Sequence, residues 1–217
     1  MATSTPIIKV VSTTRDGVRT GTPGVQAGVF LDRDGVVNAM DRFVNTPEDF
    51  DALAIPASIQ ALARLTRETD LPVILVTNQG GVGKGSMSEE VNRAILERVA
   101  ERVEEAGGRM DALYWCPNRP GFQVPDGEVD GRKPEAGMLV QAARDFGPEI
   151  DLTDSYMIGD MTTDIAAGEN AHPGVTTILV LTGKAGQDGK VEITPDHVSR
   201  DLADAVDWII TREKSRS

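Results

Sequence analysis

From residue 28 onward, short apolar runs alternate with amphipathic stretches. Residues 29–31, 72–76, 111–115, 156–158 and 176–181 are apolar nearly throughout, without the polar alternation of a half-exposed strand. Such runs predict strands covered on both faces. Between them lie helical periods. Residues 56–69 place Ile59, Leu62 and Leu65 on one face, with Pro56 in the first turn. Residues 88–106 open with Ser88 as a cap and Glu89 and Glu90 at the positive end. Val91, Ile95, Val99 and Val103 form their stripe, and Gly107-Gly108 stops the helix. Further helices are predicted over 135–146, 162–171 and 199–211, with a loop over 116–133. The alternation predicts an α/β fold, a Rossmann-like three-layer sandwich with a mainly parallel sheet.

Residues 1–27 follow a different pattern. Residues 12–24 are rich in Thr, Ser, Gly, Arg and Asp and read as a tail or loosely attached arm, with one domain over 28–217. The chain has 217 residues, enough to bury a core without staples. Aromatics make up only 4%, so the core must be built from aliphatic side chains and Met. The formal charge of −12 disfavours nucleic acid and anionic membranes as partners. The single cysteine, Cys116, excludes an intrachain disulfide and a Cys-rich metal site. The opening residues lack a signal-peptide pattern, no apolar run reaches membrane-spanning length, and the expected setting is cytoplasmic.

In a doubly covered parallel sheet, ligands bind at the carboxyl ends of the strands. The residues just past each predicted strand are therefore the informative ones. Asp32 and Asp34 follow the first, two acids two residues apart before Gly35, a repulsive pair that calls for a cation. Thr77 and Asn78 end the second, a hydroxyl and an amide able to cradle an anion. Gly83-Lys84-Gly85-Ser86 is not a nucleotide P-loop, because Lys84 precedes Gly and the position five before Gly83 is Asn78. Arg132 and Lys133 precede a predicted helix, where cations are electrostatically misplaced unless an anion binds. Asp160 and Asp164 follow the next strand.

The segments FLDRDGVVN, VTNQGG, GRKPEAGM and MIGDMTTD resemble, in order, the four motifs of the haloacid dehalogenase superfamily of phosphohydrolases. Within it, they are most similar to the capless D-glycero-D-manno-heptose 1,7-bisphosphate 7-phosphatases. Histidinol-phosphate phosphatases and polynucleotide 3′-phosphatases are close relatives. The resemblance implies a Mg²⁺-dependent phosphatase without a large cap domain, acting on a small phosphorylated metabolite, as a monomer or small homo-oligomer. It implies Asp32 as nucleophile, Asp34 as general acid and base, and metal ligation by Asp32, the Asp34 backbone and Asp160. Thr77 and Asn78 would bind the phosphoryl group, Lys133 would balance its charge and Arg132 would reach a distal group. Asp164 would orient the metal site or cap a helix. His172 and His197 lie outside the motifs. A non-catalytic phosphate-binding module is the reading from a different class. It is disfavoured by the presence of both acids.

Two departures stand out. Relatives carry a structural zinc in the loop before Arg-Lys-Pro; here Cys116 is kept, but Asn118, Val129 and Gly131 stand at the other ligand positions. No zinc is expected, and the loop must hold by its own packing, with Pro117, Pro120 and Pro125 as candidates. Met161 stands where heptose enzymes tend to have Lys.

Overall fold

The computed structural model describes residues 8–10, 27–124, 130–147 and 150–216. Its strands are β1 (Ile8–Val10), β2 (Val29–Leu31), β3 (Val73–Asn78), β4 (Ala112–Cys116), β5 (Tyr156–Gly159), β6 (Thr176–Val180) and β7 (His197–Ser199). They form one sheet in the order β1-β4-β3-β2-β5-β6-β7. β2 to β7 are mutually parallel, and β1 runs antiparallel along the free edge of β4. Thus part of the stretch read as an arm is a sheet edge; residues 1–7 and 11–26 lie outside the described residues.

The helices are α1 (Pro47–Leu53), α2 (Pro56–Glu68), α3 (Gly80–Gly83), α4 (Glu89–Glu105), α5 (Gly137–Phe146), α6 (Thr162–Ala171) and α7 (Leu202–Arg216). Successive strand residues point to opposite faces. Val29, Leu31, Val73, Leu75 and Leu113 therefore pack with Ile59, Leu62, Val99 and Val206, which come from α2, α4 and α7. Phe30, Ile74, Val76, Tyr114 and Met157 face Met138, Leu139 and Ala167 from α5 and α6. Both faces are covered, which explains the unbroken apolar runs. Leu75 is fully buried at the centre of the sheet, and Leu75→Ala there costs about 2–5 kcal/mol.

Local boundaries follow local chemistry. Ser88 caps α4 by accepting from the Val91 N–H. α1 was not foreseen, although Thr46 caps it and Pro47 opens it. α5 starts at Gly137 rather than 135, because the Lys133 backbone is engaged by the Asn78 side chain. Ser199, expected to open the last helix, instead closes β7 against Val180, and α7 begins at Leu202. Among the described residues no folded unit stands over the carboxyl ends of the strands. Residues 32–46 join β2 to α1 directly. No helix among them is long and apolar enough to cross a membrane.

The strand order sets the position of the site. From β2 the chain steps outward through β3 and β4, then returns to place β5 on the other side of β2. That reversal opens a crevice between the ends of β2 and β5.

Candidate active site

Asp32 leaves the end of β2 and Asp160 the end of β5, the two strands that flank the crevice. Asp164 sits in the first turn of α6, where its Oδ2 accepts from the Met161 N–H at 3.0 Å. Ligand oxygens of Asp32, Asp160 and Asp164 all lie within 4.8 Å of one another, and all three residues are buried. Lys133 reaches the same point from the loop before α5. Its Nζ is 2.7 Å from Asp32 Oδ1, 2.6 Å from Asp164 Oδ1 and 2.9 Å from the Val76 carbonyl.

Three carboxylates face one ammonium, so full ionisation leaves two negative charges in a buried site. The Asp32 carboxyl is pushed up to about 6, by burial first and by its acidic neighbours, with Lys133 opposing. Asp160 is pushed up to about 7, chiefly by burial and then by Asp32. Burial lowers Lys133, but Asp164 and Asp32 outweigh it, and the net shift is upward. Asp160 Oδ1 is buried without a hydrogen-bond partner. An orphaned carboxylate oxygen beside an excess of two negative charges fits a hard divalent cation such as Mg²⁺.

Asp34 is held differently. Arg33 Nη2 donates to its Oδ2 at 2.7 Å and to its Oδ1 at 2.8 Å, and Arg33 Nε and Asn38 Nδ2 add bonds to Oδ1. Burial raises the carboxyl, but Arg33 and Asn38 outweigh it and hold it below the usual range.

The second strand end is tied to the loop before α5. The Asn78 side chain, expected on a phosphoryl oxygen, accepts at Oδ1 from the Lys133 N–H at 3.0 Å and donates from Nδ2 to the Lys133 carbonyl at 3.1 Å. A buried stretch of irregular backbone needs such partners, and Asn78 supplies both. Thr77 is buried, and its Oγ1 accepts from Gln79 Nε2 at 3.0 Å. Arg132 is half-buried and donates to the Asn118 carbonyl at 2.7 Å.

The loop expected to hold by proline packing is instead tied by Asp130. Its Oδ1 accepts from Asn118 Nδ2 at 2.8 Å and from the Arg132 N–H at 2.9 Å, with Cys116 Sγ at 4.0 Å. Burial pushes the Cys116 thiol up to about 11, so it is no thiolate at neutral pH. Pro125 and Val129 lie outside the described residues. His172 accepts from the Gly174 N–H and His197 stacks on Trp208, both away from the crevice.

One supporting segment was missed. After β6, the Lys184 N–H donates to Asp160 Oδ2 at 2.6 Å and the Gly186 N–H to the Asp160 carbonyl at 2.8 Å. Thr182 Oγ1 donates to the Gly35 carbonyl. Gly183 has φ +58, and a Cβ there would lie 2.2 Å from Asp160 Oδ2. The signal was a Thr-Gly pair just past a strand, the position already informative at the other strand ends.

Comparison with known proteins agrees with this geometry. A family model described as HAD-hydrolase-like, for haloacid dehalogenase, matches residues 131–205. The D-glycero-D-manno-heptose-1,7-bisphosphate 7-phosphatase of Chlorobaculum tepidum is 36% identical over 201 residues, spanning 87% of this chain and 96% of that protein. The chain belongs to the haloacid dehalogenase-like phosphatases. Vibrio cholerae has a D-glycero-beta-D-manno-heptose-1,7-bisphosphate 7-phosphatase 40% identical over 158 residues, or 72% of this chain and 82% of that one. Among solved structures, the D,D-heptose 1,7-bisphosphate phosphatase of B. bronchiseptica, complexed with magnesium and phosphate, superposes with a TM-score of 0.73 at 33% identity. That match covers 86% of this chain and 99% of the other. The enzyme of the same name from Burkholderia thailandensis gives 0.60 at 28% identity over 85% and 99%. As a phosphatase of this superfamily, the chain has the α/β sandwich read from its sequence.

Proposed function

We propose that this phosphatase hydrolyses a small sugar bisphosphate of the heptose 1,7-bisphosphate type, through a phosphoryl group carried on Asp32. The observation that carries this reading is the Lys133 ammonium bridging Asp32 and Asp164 beside the unpartnered Asp160 Oδ1. The names of the relatives support the substrate class. Asp32, the Asp34 backbone and Asp160 would hold Mg²⁺, with Asp164 orienting the group. When bound, Mg²⁺ supplies positive charge that relieves repulsion between the carboxylates and the incoming phosphate.

An oxygen of Asp32 attacks phosphorus, and the bond from phosphorus to the sugar oxygen breaks. The sugar oxygen keeps the electron pair and takes a proton from the Asp34 carboxyl. The Asp34 carboxylate then accepts a proton from water as the water oxygen attacks phosphorus. The Asp32–phosphorus bond breaks, and Asp32 and inorganic phosphate are released. Lys133 keeps Asp32 in line and offsets charge on the transferring oxygens. Thr77 lines the phosphoryl end, Asn78 fixes the loop that carries Lys133, and Arg132 faces the rest of the substrate. A reducing cytoplasm suits the buried, unpaired Cys116.

The test is phosphate release from heptose 1,7-bisphosphate, histidinol phosphate, other sugar phosphates and a 3′-phosphorylated oligonucleotide, each with Mg²⁺ and with EDTA. Metal-dependent turnover with the heptose bisphosphate best by a wide margin is expected. A better rate on histidinol phosphate or the oligonucleotide overturns the substrate reading, and turnover in EDTA overturns the metal.

A further inference from the structure

Arg33 sits between the two acids of the first motif and takes no part in the proposed chemical steps. Its side chain is 3% exposed, whereas that of Asp34 is 31% exposed at the rim of the crevice. Burying a guanidinium is costly unless it is paired and hydrogen-bonded. Here all three of its side-chain hydrogen bonds end on one carboxylate, that of Asp34. Nη1 has no partner at all. The turn that carries both residues is closed on Arg33 itself, whose carbonyl accepts from the N–H groups of Val36, Val37 and Asn38. Asn38, also fully buried, brings Nδ2 to Asp34 Oδ1 at 3.1 Å.

We propose that Arg33, assisted by Asn38, is a positioning residue for proton transfer, holding the Asp34 carboxylate in the one orientation that serves the leaving oxygen and then the attacking water. The inference rests on the reading of Asp34 as the general acid. The donors divide unevenly between the two oxygens. Oδ1 accepts from Arg33 Nε, Arg33 Nη2 and Asn38 Nδ2, whereas Oδ2 accepts from Arg33 Nη2 alone. With one donor against three, Oδ2 is the less restrained oxygen and the one left to meet the leaving oxygen. Without the guanidinium, Asp34 would keep only the single Asn38 bond and could turn about its side-chain bonds at the rim. A misplacement of about 1 Å is enough to cost on the order of 100-fold in rate.

The experiment separates positioning from general support of the fold. A sugar alkoxide needs a proton to leave, whereas p-nitrophenolate leaves as the anion. kcat/KM, which covers the steps up to transfer onto Asp32, is measured for heptose 1,7-bisphosphate and for p-nitrophenyl phosphate. Wild type, Asp34→Asn, Arg33→Met and Arg33→Lys are compared. Asp34→Asn is expected to lose roughly 10²–10⁴-fold on the sugar phosphate and at least about tenfold less on the aryl ester. Arg33→Met should show the same selective loss, on the order of 10–100-fold on the sugar phosphate. Arg33→Lys, with charge but no two-nitrogen grip, should recover part of it. Equal losses on both substrates in Arg33→Met, or no loss, overturn the proposal while Asp34→Asn remains selective. An unselective Asp34→Asn removes the acid assignment and the proposal with it. Should Arg33→Met not fold, the same two rates in Arg33→Lys and Asn38→Ala decide, with equal losses again counting against it.

Discussion

The floor and the wall of the crevice are built on opposite principles. At the floor, Asp32, Asp160 and Asp164 are buried charges on strand ends and the first turn of α6, and Lys133 joins them from a loop whose backbone Asn78 fixes. In the wall, between β4 and α5, Arg132 is half-buried and the segment is tied by one carboxylate, Asp130. The floor concentrates unbalanced charge, as chemistry on a phosphate requires. The wall uses neutral and charge-assisted hydrogen bonds of about 1–3 kcal/mol each, which can be exchanged without touching the reaction. Changes at the floor should therefore remove the rate constant, and changes in the wall should alter substrate preference.

The largest effect expected is at Asp32, the proposed nucleophile. Asp32→Asn should lower kcat by about 10⁴-fold or more while the circular-dichroism melt stays close to wild type. Lys133→Met comes next. It leaves Asp32 and Asp164 buried without their cation, and should cost about 3–5 kcal/mol in denaturant unfolding at neutral pH, with partial recovery in acid. Gly183→Ala should cost about 1–3 kcal/mol, because a Cβ cannot sit 2.2 Å from Asp160 Oδ2 and φ is +58. It should also weaken Mg²⁺ binding measured calorimetrically. In the wall, Asp130→Ala should raise KM for the sugar bisphosphate roughly tenfold, about 1.4 kcal/mol, and change kcat far less. A fall in kcat approaching that of Asp32→Asn would erase the distinction between floor and wall.

Acidity offers a subtler probe of the floor. Asp32 and Asp160 titrate at about 6 and about 7, above their unfolded range. In the metal-free protein, unfolding between pH 4 and 7 therefore releases protons, and stability from these groups falls as pH rises through that window. A bound divalent cation favours the ionised forms and reverses the trend. The rise in melting temperature on adding Mg²⁺ should thus be greater at pH 8 than at pH 5. An equal rise at both would place the cation elsewhere.

The legible features were those written in local pattern. Unbroken apolar strands, the Ser88 cap and acids at strand ends were visible because each depends on a few neighbouring residues. β7 was hidden because its three residues follow a long polar loop and pair only at the sheet edge. The pairing of Asn78 with the Lys133 backbone spans 55 positions and has no local signature. Asp130 stood one residue from the cysteine positions that resemblance to relatives made prominent, and was passed over. Arg33 lies within the first motif, yet its burial beneath Asp34 follows only from the closed turn at 33–38.

Every step proposed for this site depends on the phosphoryl group passing through Asp32. Rapid acid quench of the wild-type enzyme during turnover of the sugar bisphosphate with Mg²⁺, followed by peptide mass measurement, tests it directly. One added phosphoryl group is expected on the peptide containing Asp32, absent from Asp32→Asn. Continued turnover with an unmodified Asp32 peptide, or a phosphoryl group found on another residue, would contradict it.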